Sequence, residues 1–286
     1  MIVDSHCHVW DYWPYTPEVP DPKTRGTVEM LIDQMNLNGV DRATIVSASI
    51  THNPNNNLYV SESVRRYSDR LEQFADVDSS WSDTYHTPGA AKRLEKIMST
   101  VPAKGFTHYL SYSDNAEWFV TREGLDFFKV ADELNLIASI ACFPKHQPMI
   151  RKIAQRYPDL TILCHHMSGL RAFGDDVHTN LETTLESAKL PNIYLKFSGF
   201  HYVTNQEKRW DYPYKGTTWI YESCYSAFKN RMVWGSDYPV VTSSMTYRQS
   251  LESFRSHCSF ITSSDRKSIL GGTLNKLLAK ARVVEK

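Results

Sequence analysis

The chain opens with the sequence MIVDSHCHVW at residues 1–10, in which a predicted strand over Ile2–Ser5 leads directly into two histidines, His6 and His8. Residues two apart in a β-strand point to the same face, so we expect both imidazoles to project together while Cys7 turns away. Two imidazoles one pleat apart can share a metal ion or a single substrate oxygen. A His-x-His pair alone is a weak signal, but barrel enzymes place their chemistry at the carboxyl ends of parallel strands, so its position at a strand end makes it a candidate site.

Seven further short runs of apolar or β-branched residues follow along the chain. With the first, they predict eight strands: Ile2–Ser5, Ala43–Ala48, Leu71–Val77, Lys104–His108, Leu136–Ala141, Leu160–Cys164, Asn192–Phe197 and Met232–Gly235. Amphipathic helices lie between them, as the helical spacing of Val28, Leu31, Ile32 and Met35 indicates. Eight strands, each followed by a helix or a long loop, predict an α/β fold, a parallel (β/α)8 TIM barrel formed by residues 1–286 as a single domain. An open doubly wound sheet is the alternative.

The composition excludes several classes of function. Lysine plus arginine and aspartate plus glutamate number 32 each, so the formal net charge is zero and no broad field attracts nucleic acid or anionic lipid. No long apolar run predicts a membrane span, and the first residues lack the basic and apolar regions of a signal peptide. Five scattered cysteines predict buried thiols in a reducing compartment. We therefore expect a cytoplasmic protein that binds neither nucleic acid nor membrane.

A second pair of histidines, His165 and His166, follows the predicted strand Leu160–Cys164. Adjacent residues of a strand face opposite sides, so at most one of the two is expected to point into the barrel. The alternation Ile162, Cys164, His166 favours His166 as the inward residue. His165 is then a packing or supporting residue, unless a bulge reverses the choice.

Asp237 follows the last predicted strand in the sequence Trp234-Gly-Ser-Asp-Tyr-Pro239. An ordinary aspartate is ionised at neutral pH, so at the barrel mouth it can ligate a cation or take a proton from water. The alternative is an aspartate that only caps a turn. The neighbouring Gly235-Ser236-Asp237 lacks the GxSxG pattern of a nucleophilic serine, and no glycine-rich phosphate loop is present.

Four further residues are predicted to contact the substrate: Lys196, Arg171, His108 and Tyr238. Lys196 shares a strand face with Tyr194 and Ser198, where an inward ammonium could neutralise a carboxylate or an oxyanion. A structural lysine with a buried stem is equally compatible with this position. The loops expected at the active face are rich in aromatic residues, which suggests a fairly apolar or ring-shaped ligand.

These segments resemble the amidohydrolase-related (amidohydrolase 2 type) hydrolases, and in particular the lactonase branch that includes 2-pyrone-4,6-dicarboxylate lactonases and sugar-acid lactonases. The resemblance covers nearly the whole chain and is carried by DSHCHVW, FPKHQPMIRKIAQRYPDLTILCHHMSG, NIYLKFSG and WGSDYPV. It implies that His6, His8 and His166 form the histidine cluster and that Asp237 is the catalytic aspartate. Two positions depart from the family: Thr107 stands where the dicarboxylate lactonases carry an arginine, and Met167–Leu170 replaces a Gly-basic-Pro segment.

We therefore expect a hydrolase that opens a small-molecule lactone, with the histidines polarising the carbonyl and Asp237 as general base. The same four residues could bind one divalent metal ion, zinc being the expected one, although the family also contains metal-free members. The alternative activity is a metal-dependent non-oxidative decarboxylation of an aromatic or enoic acid. A barrel that serves only as a binding partner is a third reading, which the intact set of four residues disfavours. The sequence leaves open whether the chain forms a homo-oligomer.

Overall fold

A computed structural model describes residues 1–16 and 18–283. Its core is a sheet of eight parallel strands in the order β1 to β8. The strands are β1 Val3–Cys7, β2 Arg42–Val46, β3 Leu71–Asp76, β4 Gly105–Tyr109, β5 Ile137–Ala141, β6 Thr161–Cys164, β7 Ile193–Phe197 and β8 Met232–Trp234. A parallel bridge between Cys7 and Tyr238 brings the first and last strands together. The prediction of a (β/α)8 barrel is confirmed.

The helices surround this barrel and connect its strands. They are α1 Val28–Asn38, α2 Asn56–Arg66, α3 Ala90–Thr100, α4 Arg122–Glu133, α5 Gln147–Arg156, α6 His166–Gly169, α7 Val177–Leu185, α8 Phe200–Val203, α9 Thr218–Phe228, α10 Tyr247–Arg255, α11 Ser263–Lys267 and α12 Thr273–Lys280. Within the described part of the chain, no helix is long and apolar enough to cross a membrane. All five cysteines are free and buried, as the sequence predicted.

Two apolar layers hold the barrel together. The larger lies between the sheet and the helices, and the smaller fills the lumen. At the amino ends of the strands, Leu274, Leu277 and Leu278 of α12 belong to the same cluster as Val3 and Val233. The lower end of the barrel is thus filled by apolar side chains, which leaves the carboxyl ends of the strands as the place for a polar site.

Strand β1 carries one extra residue relative to β2. Asp4 pairs with Ala43 and Cys7 pairs with Ile45, so three steps along β1 match two steps along β2. This bulge shifts the alternation of side chains within the strand. In a regular strand, two residues separated by an odd number of positions face opposite sides. Because of the bulge, Val3 faces the lumen and so do His6 and His8, which follow it at odd separations.

Candidate active site

His6 and His8 project together from the end of β1, as their spacing predicted. Their Nε2 atoms lie 3.1 Å apart, and both side chains are buried. The Nδ1–H group of His8 donates to the carbonyl oxygen of Val46 at 2.7 Å. This hydrogen bond sets the tautomer of His8 and leaves the Nε2 lone pair facing the lumen.

Asp237 lies directly above these histidines, in a left-handed backbone conformation with φ of 61°. Its N–H group donates to the carbonyl oxygen of His6 at 2.7 Å, which ties the segment after β8 to β1. Carboxylate oxygen Oδ1 lies 3.5 Å from Nε2 of His6 and 3.7 Å from Nε2 of His8. The other oxygen, Oδ2, accepts a hydrogen bond from the hydroxyl of Tyr202 at 2.8 Å.

His166 completes a cluster of four side chains, His6, His8, His166 and Asp237, which we call the His–Asp cluster. Its Nε2 atom lies 3.8 Å from Oδ1 of Asp237, while its Nδ1 atom lies 2.9 Å from the hydroxyl oxygen of Ser198. The four residues named by the sequence as catalytic and metal-binding are therefore brought together at the carboxyl ends of β1, β6 and β8.

His166 thus lies in the site, but the alternation of side chains along β6, from which we predicted it, was wrong. Leu163 belongs to the lumen cluster, whereas Ile162 and Cys164 belong to the layer beneath the helices. Regular pleating would therefore turn His165 inward and His166 outward. His166 reaches the site because the four residues of α6 all have positive φ, between 46° and 65°, and this left-handed turn redirects the side chain.

His165 faces the lumen at a deeper level than His166. Its Nε2 atom lies 2.7 Å from the hydroxyl oxygen of Ser139 on β5, and its ring centroid lies 4.5 Å from that of His6. The hydroxyl of Ser139 also accepts a hydrogen bond from Lys196 at 2.7 Å. His165 is thus adjacent to the cluster and supported from below.

Lys196 points inward, but it does not lie where a substrate could contact it. Its side chain is completely buried, and its Nζ atom lies 3.1 Å from Nδ1 of His6. Alternation along β7 correctly predicted that the Lys196 side chain points into the barrel. It did not predict how deep this side chain lies, which is in the layer below the His–Asp cluster. Its predicted contact with substrate is therefore replaced by a contact that holds the His6 ring from behind.

The prediction for His108 is contradicted by its position. His108 faces the helices, where its Nδ1–H group donates to the carbonyl oxygen of Val77 at 3.0 Å and its ring packs near Phe119 and Phe127. On β4 it is Tyr109 that packs against the lumen cluster.

Tyr238 is likewise turned away from the site. Its ring packs against Tyr247 of α10, with centroids 5.7 Å apart, and it is 4% exposed. Because Asp237 has its side chain in the lumen, the next residue in the chain is directed to the helix layer.

A cavity of about 310 Å³ leads to His165 and His166 and also borders Tyr109, Tyr202 and Arg171; we call it the inner cavity. Of the four residues predicted to contact the substrate, Arg171 is the one that borders this cavity. The cavity ends at the His–Asp cluster, since Tyr202 both lines it and bonds to Asp237.

The protonation of the cluster follows from burial and from its neighbours. Burial, with the nearby Lys196, lowers the pKa of His6 well below its usual value, and burial lowers the pKa of His166 to about 4. Burial by itself would raise the pKa of Asp237, but the imidazoles of His166 and His8 outweigh it and bring the pKa below its ordinary value. These pKa shifts favour uncharged imidazole rings on His6 and His166 beside an ionised carboxylate on Asp237.

This donor set fits a divalent metal ion. The ligand atoms of His6, His8 and Asp237 lie within 4.8 Å of one another, as do those of His6, His165 and His166. Tetrahedral zinc ligands at 2.0–2.2 Å stand roughly 3.3–3.6 Å apart, close to the 3.1, 3.5 and 3.7 Å measured between the first three atoms. Neutral imidazoles and a carboxylate are also ligands that zinc prefers.

Three residues that support the cluster were not singled out in the sequence. Asp4 accepts hydrogen bonds from the N–H groups of His6 and Ser236 at 3.0 and 2.9 Å, so one buried carboxylate joins the ends of β1 and β8. Tyr202 was noted only among the many aromatic residues after β7, and Ser139 not at all. A polar residue inside an apolar strand was the available signal for Asp4 and Ser139, whereas nothing local distinguishes Tyr202.

Comparison with known proteins identifies the fold family. A probable 2-pyrone-4,6-dicarboxylic acid hydrolase from Acinetobacter baumannii, with citric acid bound, is 19% identical and has a TM-score of 0.75, covering 97% of this chain and 99% of its own. An amidohydrolase from Burkholderia multivorans with bound zinc is 18% identical with a TM-score of 0.73, covering 98% and 99%. A 5-carboxyvanillate decarboxylase from Sphingomonas paucimobilis is 13% identical with a TM-score of 0.65, covering 97% and 98%.

At these identities the structural likeness establishes the fold and not the reaction. No functionally curated protein matches the chain at a significant level. The sequence model of the amidohydrolase family, by contrast, matches residues 3–278. Because this match includes nearly the whole barrel and the complete His–Asp cluster, the chain belongs to the amidohydrolase family.

Proposed function

We propose that this protein is a lactonase, a hydrolase that opens a cyclic ester by attack of water. The observation that carries the proposal is that the two carboxylate oxygens of Asp237 have different contacts. Its Oδ1 atom faces the Nε2 atoms of His6, His8 and His166 at 3.5–3.8 Å, while Oδ2 is held by the Tyr202 hydroxyl. An ionised carboxylate fixed in this way suits a general base that acts on a water molecule among the imidazoles.

In this mechanism the substrate enters through the inner cavity and places its carbonyl group against the histidines. Asp237 takes a proton from water as the water oxygen attacks the carbonyl carbon. Collapse of the tetrahedral intermediate breaks the ring C–O bond, and Asp237 returns the proton to the departing oxygen. One lactone and one water thus give one hydroxy acid, and Asp237 ends the cycle ionised.

A divalent ion, zinc by preference, would be held by His6, His8 and Asp237 with His166 as the fourth ligand, and it would supply Lewis-acid polarisation of the carbonyl and a lower pKa for bound water. In the absence of an ion, the imidazole groups would contact the carbonyl oxygen directly. The zinc found in the Burkholderia multivorans relative supports the first form.

Non-oxidative decarboxylation of an aromatic or enoic acid is the second candidate, because Asp237 among the same imidazoles could deliver a proton to carbon. The 5-carboxyvanillate decarboxylase among the proteins of similar structure favours testing this candidate beside the first. Product analysis separates the two activities, because a lactonase releases a hydroxy acid and a decarboxylase releases carbon dioxide.

The Asp237→Asn variant tests the general base. We expect kcat for lactone hydrolysis to fall by about 10²-fold or more, the usual scale for general base catalysis, with an unchanged circular dichroism spectrum. Asp69→Asn, at an exposed position in the turn between α2 and β3, is the matched control and should keep its full rate. A rate for Asp237→Asn within a few-fold of the wild type would show that the base is another residue.

A further inference from the structure

The inner cavity differs from the kind of site that binds a highly polar lactone. Its walls include Leu110, Ala141, Cys142, Phe143 and Gly169. At about 310 Å³, it stands at the small end of the range for ligand pockets, which is roughly 300–1,000 Å³. The cavity is thus suited to a small ligand with a largely apolar body.

The backbone that forms one wall is adapted to close packing. Gly169 has a φ of 65° and faces the ring of Phe143, where a Cβ atom would lie 2.8 Å from Cδ1. The same left-handed turn carries His166 at its start and leads to Arg171 two residues after its end. One short segment therefore carries both His166 and Arg171, which border the inner cavity.

Among the described residues that border the inner cavity, Arg171 is the one with a permanent charge. Among residues 1–16 and 18–283, its guanidinium group has no ion-pair partner within 4.0 Å; it lies 5.5 Å from the ring of Phe173. A guanidinium group offers a planar set of donors that matches a carboxylate. The cavity thus provides for one negative charge, at the exposed side chain of Arg171.

A second carboxylate would find a less favourable environment. A neighbouring cavity of about 380 Å³, the outer cavity, shares Phe143, Gly169 and Arg171 with the inner one and adds Lys145, but also Asp175 and Asp176. Two acidic side chains against one further cation disfavour a dianion in this direction.

Several hydroxyl groups on a ligand would also lack partners. The Tyr202 hydroxyl is already used by Asp237, and the remaining walls are mostly apolar. Burying a hydroxyl without a hydrogen-bond partner is costly. A polyhydroxylated sugar lactone is therefore a poor match for these walls.

We propose that the inner cavity selects lactones with a small, apolar ring system and a single carboxylate, and that Arg171 is the residue that binds this carboxylate. The proposal rests on the proposed lactonase function, and it goes beyond it by naming the substrate class.

Binding tests the ligand class independently of turnover. Coumarins that carry one carboxylate, at ring position 3, 6 or 7, are the probes, and coumarin, 2-pyrone-4,6-dicarboxylate and gulono-1,4-lactone are the comparisons. We expect the best monocarboxylate to bind at least 10-fold more tightly than each comparison, by titration calorimetry. Arg171→Met should remove a factor of about 10–100 from this affinity, the worth of a hydrogen-bonded charge, and leave coumarin binding unchanged. Lys145→Met, which alters the cation of the outer cavity, is the control and should retain the preference.

Tighter binding of the dicarboxylate or of the sugar lactone would overturn the proposal, as would an equal loss of coumarin and monocarboxylate affinity in Arg171→Met. Hydrolysis of 3,4-dihydrocoumarin and its carboxylated derivatives is measured in parallel. If monocarboxylates bind through Arg171 but no lactone is opened, the lactonase function fails and the ligand class stands. If only lactones of other classes are opened, the function stands and the ligand class fails.

Discussion

Asp237 shows how much of the proposed chemistry depends on the conformation of one residue. Its positive φ is unusual for a residue other than glycine, and its N–H group is held by the carbonyl oxygen of His6. The backbone is thus anchored to the strand that carries two of the histidines. This anchoring keeps Oδ1 among three imidazoles while Tyr202 holds Oδ2.

The two adjacent histidines are expected to differ in function because they differ in depth. His166 has its Nε2 atom free and directed towards Asp237, whereas Nε2 of His165 is engaged with Ser139. We expect His166→Ala to lower both turnover and the amount of bound zinc more than His165→Ala does. His165→Ala should retain the metal and lose about 10–100-fold in turnover, the usual effect of removing a supporting residue.

Elemental analysis of the purified variants, together with lactone turnover, measures this difference. His178→Ala, at an exposed position on α7, serves as the control. A larger loss of zinc in His165→Ala than in His166→Ala would place His165 among the ligands and refute the assignment. If the wild type holds no metal and keeps full activity in chelator, the metal proposal fails and turnover alone ranks the two histidines.

At the scale of the elements, the site depends on the close approach of β1 and the segment after β8. Gly235 makes this approach possible, because a Cβ atom there would lie 2.8 Å from Cβ of His6 and 3.0 Å from its backbone nitrogen. The bulge in β1 provides the other half of the arrangement by turning His6 and His8 to the lumen. The bulge in β1 and the absence of a side chain at Gly235 therefore both determine the position of His6.

Gly235→Ala should consequently displace His6 and impair the site. We expect a loss of about 1–3 kcal/mol in the free energy of unfolding, the usual cost of overpacking, and a fall of at least 10-fold in kcat/KM. Gly216→Ala is the matched control, because a Cβ atom there meets nothing within 4 Å. Denaturant unfolding and lactone turnover give both quantities. A Gly235→Ala protein with wild-type activity would mean that His6 can move without consequence.

At the scale of the whole molecule, buried carboxylates couple the stability of the barrel to pH. Asp76, at the end of β3, accepts hydrogen bonds from the N–H group of Ser49, the hydroxyl of Ser79 and the indole of Trp81 at 2.5–2.9 Å. It thereby joins the loops that follow β2 and β3. Burial nevertheless raises its pKa to about 6.

The direction of the pH effect follows from this shift. The folded protein binds a proton at Asp76 more readily than the unfolded chain, whose aspartates titrate near 3.9. The contribution of Asp76 to stability therefore falls as the pH rises from about 4 to about 6, and is lost above that range. A shift of about two pKa units corresponds to roughly 3 kcal/mol.

Asp76→Asn removes this titration. We expect the stability of the variant, measured as its free energy of unfolding minus that of the wild type, to increase by up to roughly 3 kcal/mol between pH 4 and pH 7. Urea unfolding at several pH values measures the difference, and Asp69→Asn should give a curve parallel to that of the wild type. If the curve of Asp76→Asn is also parallel, the carboxyl group of Asp76 has an ordinary pKa in the folded protein.

The sequence by itself determined the barrel, the position of the site at the carboxyl ends of the strands, and His6, His8 and Asp237 as members of the His–Asp cluster. It could do so because alternating and helical periodicities are local properties, and because strand ends are visible as changes in residue type. The His-Cys-His spacing gave the direction of His6 and His8 for the same reason. The zero net charge and the prediction of buried, free cysteines likewise came from the composition and the spacing of residues alone. His166 was also named, but its support was the family resemblance, since regular alternation turns it outward.

Only the tertiary structure decided how the side chains reach one another. The left-handed turn that brings His166 to the site, against regular alternation, is stabilised by packing between residues distant in sequence, such as Gly169 and Phe143. The depth of Lys196 and the turning of His108 and Tyr238 to the helices depend on which face of each strand the closed sheet encloses. The pairing of Tyr202 with Asp237 joins residues 35 positions apart. Such contacts arise from closure of the barrel, and no local pattern of residues specifies them.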